Sequence, residues 1–209
     1  MDRREAVRYI SILLGGTLIG GEALLTGCKS ETGKPQDWNE DDIAYLNEIG
    51  ETILPQTTTP GARAANVGKF MTVMVNDCYE EADQHVFREG LKKLNEAAKT
   101  AYSKGFMDIT PQQRHDLLVG LDKEAKEQHK KVDAFNVGET AKERDEIAKG
   151  NLKYKRQYMS PHYFAMMKQL TLLGFFTSEV GATKAIRYLP VPGRYDSCIP
   201  YKKGDKLFI

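Results

Sequence analysis

Residues 82–103 read ADQHVFREGLKKLNEAAKTAYS, and the positions of the apolar residues in this stretch decide the class of fold. Phe87, Leu91, Leu94 and Ala98 recur at steps of three and four, with Val86 beside them. Steps of that size put side chains on one face of an α-helix, whereas a strand would need alternation. Arg88, Glu89, Lys92, Lys93, Asn95 and Glu96 lie between them and suit a solvent face. Upstream, the same periodicity predicts a helix near Val67 to Tyr79, with Phe70, Met71, Met74 and Val75 apolar. Before that, Asp37 with Glu40 reads as a capping pair. It opens a helix on which Ile43, Leu46, Ile49 or Gly50, and Ile53 share a face, and Pro55 ends it.

Downstream of residue 103, Thr110-Pro111-Gln112-Gln113 is a strong start signal. It has a Thr cap, Pro at the first helical position and Gln three residues after the cap. Leu117, Leu118 and Leu121 come after it. Residues 122–157 are rich in Lys, Glu and Gln, so a solvated helix and a mobile insertion both fit. Ser160-Pro161 opens a more apolar helix, His162 to Leu173. A short helix near Ser178 to Tyr188 comes next, and then an irregular Pro/Gly tail. There is no alternating strand set and no internal repeat. The expectation is a mainly α protein: one helical domain over 37–209 with a long irregular C-terminal tail.

The 209 residues suffice for one domain with its own core, and 41% hydrophobic with 28% charged residues is ordinary for a globular chain. Thirty basic and 29 acidic residues leave a net charge of +1. That balance supplies no long-range field to hold nucleic acid. Beyond residue 30 no run approaches the roughly 18 continuous apolar residues of a membrane span.

The N-terminus has a different character. Arg3, Arg4 and Arg8 form a positive start, followed by an apolar run from Ile10 to Ile19. About ten residues suit the core of a signal peptide and are too few to cross a bilayer of about 30 Å. Leu25-Thr26-Gly27-Cys28 resembles the lipobox of bacterial lipoproteins, in which the cysteine thiol takes a diacylglycerol thioether and the chain is cut just before it. The expected organisation is therefore a signal peptide over 1–27, a lipidated tether over 28–36, and the helical domain. Arg3 and Arg4 also resemble a loose twin-arginine signal, although Ala6 stands where an aromatic residue or leucine is usual. Both that route and general secretion remain open. The localisation this implies is the periplasm, attached to a membrane through lipid on Cys28. Lys29 directly after the cysteine leaves the choice of membrane and surface open.

The other two of the three cysteines are Cys78 and Cys198. In an oxidising compartment they could form a disulfide closing a loop of about 120 residues, worth roughly 4–5 kcal/mol on the chain-entropy model. Two buried free thiols are the alternative. No paired-cysteine spacing suggests a metal site. The four histidines, His85, His115, His129 and His162, fall in no zinc-protease or haem-attachment pattern. His162 beside Tyr163 and Phe164 reads as a hydrogen-bonded core or interface histidine, and the other three as solvent-facing. No catalytic constellation stands out. Two segments do: Leu54 to Ala62, with Pro55 and Pro60, and Gly174 to Ala182 followed by Tyr188 to Tyr195. Phe175, Phe176, Tyr188, Pro192, Arg194 and Tyr195 are the residue types that anchor interfaces. A plain helix connector and a tail folded back on its own domain are the competing readings.

At these segments the chain resembles the gluconate 2-dehydrogenase subunit 3 family. The resemblance rests on Ile53-Leu54-Pro55 and Thr59-Pro60-Gly61-Ala62, with Val67 and Phe70 after them. It continues in Gly174-Phe175-Phe176-Thr177-Ser178-Glu179-Val180-Gly181 and in Tyr188-Leu189-Pro190-Val191-Pro192-Gly193-Arg194-Tyr195 with Cys198. It implies the small, non-catalytic subunit of a membrane-attached dehydrogenase. A large flavoprotein of the glucose–methanol–choline type would carry FAD and oxidise a sugar or sugar acid, and a cytochrome c subunit could take the electrons. The chain itself would bind no cofactor. A stand-alone envelope lipoprotein, acting as a solute-binding or scaffold module, is the alternative.

Overall fold

The computed structural model describes residues 38–191, 193, 198 and 200–206. The export and lipidation residues Arg3, Arg4, Leu25, Thr26, Gly27 and Cys28 lie outside these, as do Asp37, Pro192, Arg194 and Tyr195. Five α-helices succeed one another: α1 (Glu40–Ile53), α2 (Val67–Cys78), α3 (Glu81–Tyr102), α4 (Pro111–Ala148) and α5 (Tyr163–Phe176). Short 3₁₀ turns at Ala62–Ala65 and Phe106–Asp108 interrupt the connections. No β-strand element occurs among the described residues.

The starts of the helices are set by local hydrogen bonding. At Thr110 the expected capping box forms: Gln113 N–H donates to Thr110 Oγ1 at 3.3 Å, and Thr110 N–H donates to Gln113 Oε1 at 2.9 Å. In α1 the box sits two residues later than expected. Asp42 N–H donates to Asn39 Oδ1 at 2.7 Å and Asn39 N–H donates to Asp42 Oδ2 at 3.2 Å. Asn39 takes the cap because its partner three residues on is an acid, in a first turn of Glu40, Asp41 and Asp42 that also suits the helix dipole. The threonines of the 57–59 turn do not cap the next helical element, since the Ala62–Ala65 turn has no side-chain cap. Glu51 organises that loop from within α1. Its carboxylate accepts from Gln56 N–H at 2.8 Å and from Arg63 N–H at 2.9 Å.

The core forms around α5, which packs against each of the other four helices. Tyr163, Phe164, Met166, Met167, Leu170, Thr171, Gly174 and Phe175 are buried along it. Leu46 and Ile49 of α1, Met71 and Val75 of α2, and Phe87, Leu91, Leu94 and Ala98 of α3 meet them. The periodic residues of 82–103 thus bury as expected, with Val86 only half-buried. Each large side chain withdrawn from water contributes about 1.5–3 kcal/mol. At one point α3 and α5 touch so closely that only glycine fits. A Cβ on Gly90 would lie 2.4 Å from Tyr163 Cβ.

The Lys- and Glu-rich segment is a solvated helix. α4 continues through it for 38 residues in all, and only Val132 and Glu139 of its distal half are buried. The chain then returns along α4 over 149–162. Asn136 exchanges two hydrogen bonds with Met159, donating to its carbonyl at 3.1 Å and accepting from its N–H at 3.0 Å. Tyr158 Oη donates to Asp83 Oδ2 at 3.1 Å, tying the return segment to α3. Beyond α5, helical turns lead into a π-helical turn at Gly181–Ala185, where the sequence predicts a longer helix to Tyr188. Ser178 Oγ donates to Phe175 O at 2.6 Å and accepts from Gly181 N–H at 3.0 Å, folding the chain tightly at that point.

Candidate interaction surface

The two segments singled out by residue type are built differently. Leu54–Pro60 is a rigid loop rather than a slack connector. Glu51 holds it from one side, and Glu48 pairs with both Arg63 and Arg114 beneath it. Arg114 also donates through Nε to Phe106 O at 3.0 Å and through Nη2 to Met107 O at 2.8 Å. The Glu48 carboxylate therefore joins α1, the loop and the start of α4. Pro55 is exposed at the tip and Pro60 is half-buried at its base.

At the end of α5 the adjacent aromatics Phe175 and Phe176 part company. Phe175 is 2% exposed and Phe176 is 41% exposed. Phe175 is thus a core residue, which corrects the expectation that it anchors a partner: the step of about 100° between neighbours turns Phe175 into the bundle and Phe176 out of it. Leu172 and Leu173 join Phe176 at the surface, neither of them flagged by residue type alone. The signal that could have found them is the absence of polar residues around α5. Between Tyr163 and Phe176 only Lys168, Gln169 and Thr171 are polar, and a helix apolar on all sides needs cover on all sides. α2 lies alongside, with its Phe70 ring against Gly174. Tyr188, Leu189 and Val191 of the tail are also exposed. The described part of this region thus presents apolar groups outward, as interface anchors do.

Cys78 and Cys198 are free and both are exposed. The structure gives neither of the two states expected for them. Cys78 lies in the last turn of α2 with its Sγ 3.9 Å from Met74 Sδ, where solvent rather than the core surrounds it. His85, His115 and His129 are solvent-facing as expected. His162 caps α5: its Nδ1 accepts from Phe164 N–H at 3.2 Å. Burial pushes its pKa below the ordinary 6.5, with Glu124 pulling it up and Lys93 pushing it further down. An imidazole that accepts at Nδ1 carries its proton on Nε2.

Reading by residue type missed Glu139. Its carboxylate is 3% exposed and faces the return segment. It accepts from Lys142 Nζ at 2.6 Å, Gln157 N–H at 3.0 Å and Tyr154 Oη at 3.2 Å. The Lys142 hydrogen bond first, and the Gln157 amide second, hold its pKa below the usual carboxylate value. Nothing in a run of Lys and Glu distinguishes this one glutamate.

Among the described residues no group of three or more His, Cys, Asp or Glu side chains is placed to hold a metal ion. No described helix is long and apolar enough to cross a membrane. The family model for gluconate 2-dehydrogenase subunit 3 matches residues 40–193. No curated protein and no solved structure matches the chain.

Proposed function

The chain belongs to the gluconate 2-dehydrogenase subunit 3 family, and on that footing we propose that it is the non-catalytic small subunit of a periplasmic, membrane-attached FAD-dependent sugar or gluconate dehydrogenase. It aids the export, stability and attachment of a flavoprotein of the glucose–methanol–choline type, and a cytochrome c subunit accepts the electrons. The observation that carries this reading is the outward end of α5. Leu172, Leu173 and Phe176 are 38%, 42% and 41% exposed on a helix with hardly any polar face. A core helix whose last turn stays apolar toward solvent is stabilised by a partner that covers it. The rigid Leu54–Pro60 loop supports the same role, because a preorganised loop loses little conformational freedom on docking.

The attachment is assigned to lipid on Cys28, and the route to the signal around Arg3 and Arg4. Two or three acyl chains on a lipoprotein hold far more firmly than one. The test is purification of the tagged chain from its native membranes, with an absorption spectrum of the eluate and the mass of the mature N-terminus. A co-purifying yellow subunit of dehydrogenase size, with a diacylated N-terminus at Cys28, is the expected result. A bare monomer, or sugar oxidation by the chain alone, would overturn the reading.

A further inference from the structure

Where the return segment rejoins the bundle, a cleft of about 410 Å³ opens between α3, α4 and the start of α5. Its volume lies within the roughly 300–1,000 Å³ of small-molecule sites. Lys93, Glu124, Gln128, Ser160 and His162 give it polar walls. Val86, Pro161 and the Tyr163 ring supply apolar surface. The side chains of Lys93, Glu124, Gln128 and Ser160 make no hydrogen bond or ion pair with any described residue. His162 spends Nδ1 on the helix cap and leaves Nε2–H unspent.

Other clefts differ in degree. In the larger one beside Tyr45, about 550 Å³, Asp41, Lys99 and Asp108 are also unspent, but Asn95 Oδ1 already accepts from Phe106 N–H and Lys92 is already paired with Glu89. The one beside His115 contains Asp122, which already holds both Lys126 and Lys168.

The walls are also held in place. Tyr163 is buried, packed against Gly90 and with its ring centroid 4.3 Å from that of His162. Ser160 comes directly after Met159, whose backbone is tied to Asn136 through both its N–H and its carbonyl. His162 is fixed by the cap it makes.

We propose that this cleft binds a small neutral polyol, the size of one sugar ring. The charges of Lys93 and Glu124 oppose each other, so the site carries no net charge to select an anion or a cation. Its unspent groups mix donors with acceptors: the ammonium and Nε2–H donate, the carboxylate accepts, and the amide and hydroxyl do both. Vicinal hydroxyls, each a donor and an acceptor, match that mixture. The C–H face of a ring then lies on Pro161 and Val86. This inference rests on the cleft alone and stands whether or not α5 docks a flavoprotein.

The experiment is a titration of the full chain, labelled for NMR, with D-glucose, and separately with D-gluconate and inorganic phosphate. Glucose is expected to shift the His162 ring and the amides near residues 124–128 and 160–164. Saturation is expected with a dissociation constant on the order of millimolar, as for a weak ligand of about a dozen heavy atoms. Gln128→Ala and Glu124→Gln, on the solvated face of α4, should each weaken binding about three- to tenfold. His162→Asn, which keeps an acceptor for the Phe164 amide, should do the same; if it fails to fold, the two α4 variants decide. Shifts that stay linear through the millimolar range, unchanged affinity in the variants, or tighter binding of gluconate or phosphate than of glucose would each overturn the proposal.

Discussion

The bundle around α5 and the arm formed by the distal half of α4 with its return segment are held by different forces. In the bundle, Phe87, Met167, Leu170 and Leu94 are fully or nearly fully buried, and the ion pairs of Glu48 with Arg114 and Asp122 with Lys168 lie at its margin. Its stability scales with apolar area, which is non-directional and barely responds to pH. In the arm, one buried carboxylate gathers a lysine, a tyrosine hydroxyl and a backbone N–H. Its order depends on a few directional bonds and on the charge of Glu139. A region of that second kind opens locally, at a lower free energy than the whole domain. One chain thus combines an apolar body with a return segment held by a few polar bonds, and the candidate polyol cleft lies at the junction of the two.

The largest effect should come from the bundle. Phe87→Ala removes a fully buried ring, with an expected loss of about 3–5 kcal/mol in chemical denaturation. If the domain stayed folded with only the arm released, the division between the two regions would be misplaced. Gly90→Ala should come next, at about 1–3 kcal/mol, because the added methyl meets Tyr163 Cβ at 2.4 Å.

A smaller and local effect is expected in the arm. Glu139→Gln cannot accept from all three donors, so hydrogen exchange over 149–160 should accelerate while the global denaturation midpoint moves little. The wild type should show the same change with acid. The folded-state pKa of Glu139 lies below the ordinary 4.5, so its contribution is present above pH 4.5 and is lost as pH falls through the folded value. Equal acid loss of protection in the bundle would erase the contrast. The smallest effect on stability should come from Leu173→Ser. This side chain is 42% exposed, and the isolated chain should change by less than about 0.5 kcal/mol. Capture of the flavoprotein should nevertheless fall, and an unaffected complex would show that the end of α5 is not the docking surface.

Much of this architecture was legible in the linear chain, because the forces behind it are local. The Thr110 box joins groups three residues apart, and the Phe87, Leu91, Leu94 and Ala98 stripe arises from helical pitch alone. The candidate sites were legible only in part. His162 stood out by its apolar neighbours, but its roles as a cap and a cleft wall depend on Glu124 and Lys93, brought in from other helices.

The amino-acid order by itself determined the helical class, the extents of α2 and α3, and the Thr110 cap, since each is settled within one or two turns of backbone. Tertiary packing alone decided which of Phe175 and Phe176 faces inward, which glutamate of the charged run is buried, and where unspent polar groups converge. Those outcomes depend on contacts between residues far apart in sequence, and no local pattern encodes which surfaces will meet.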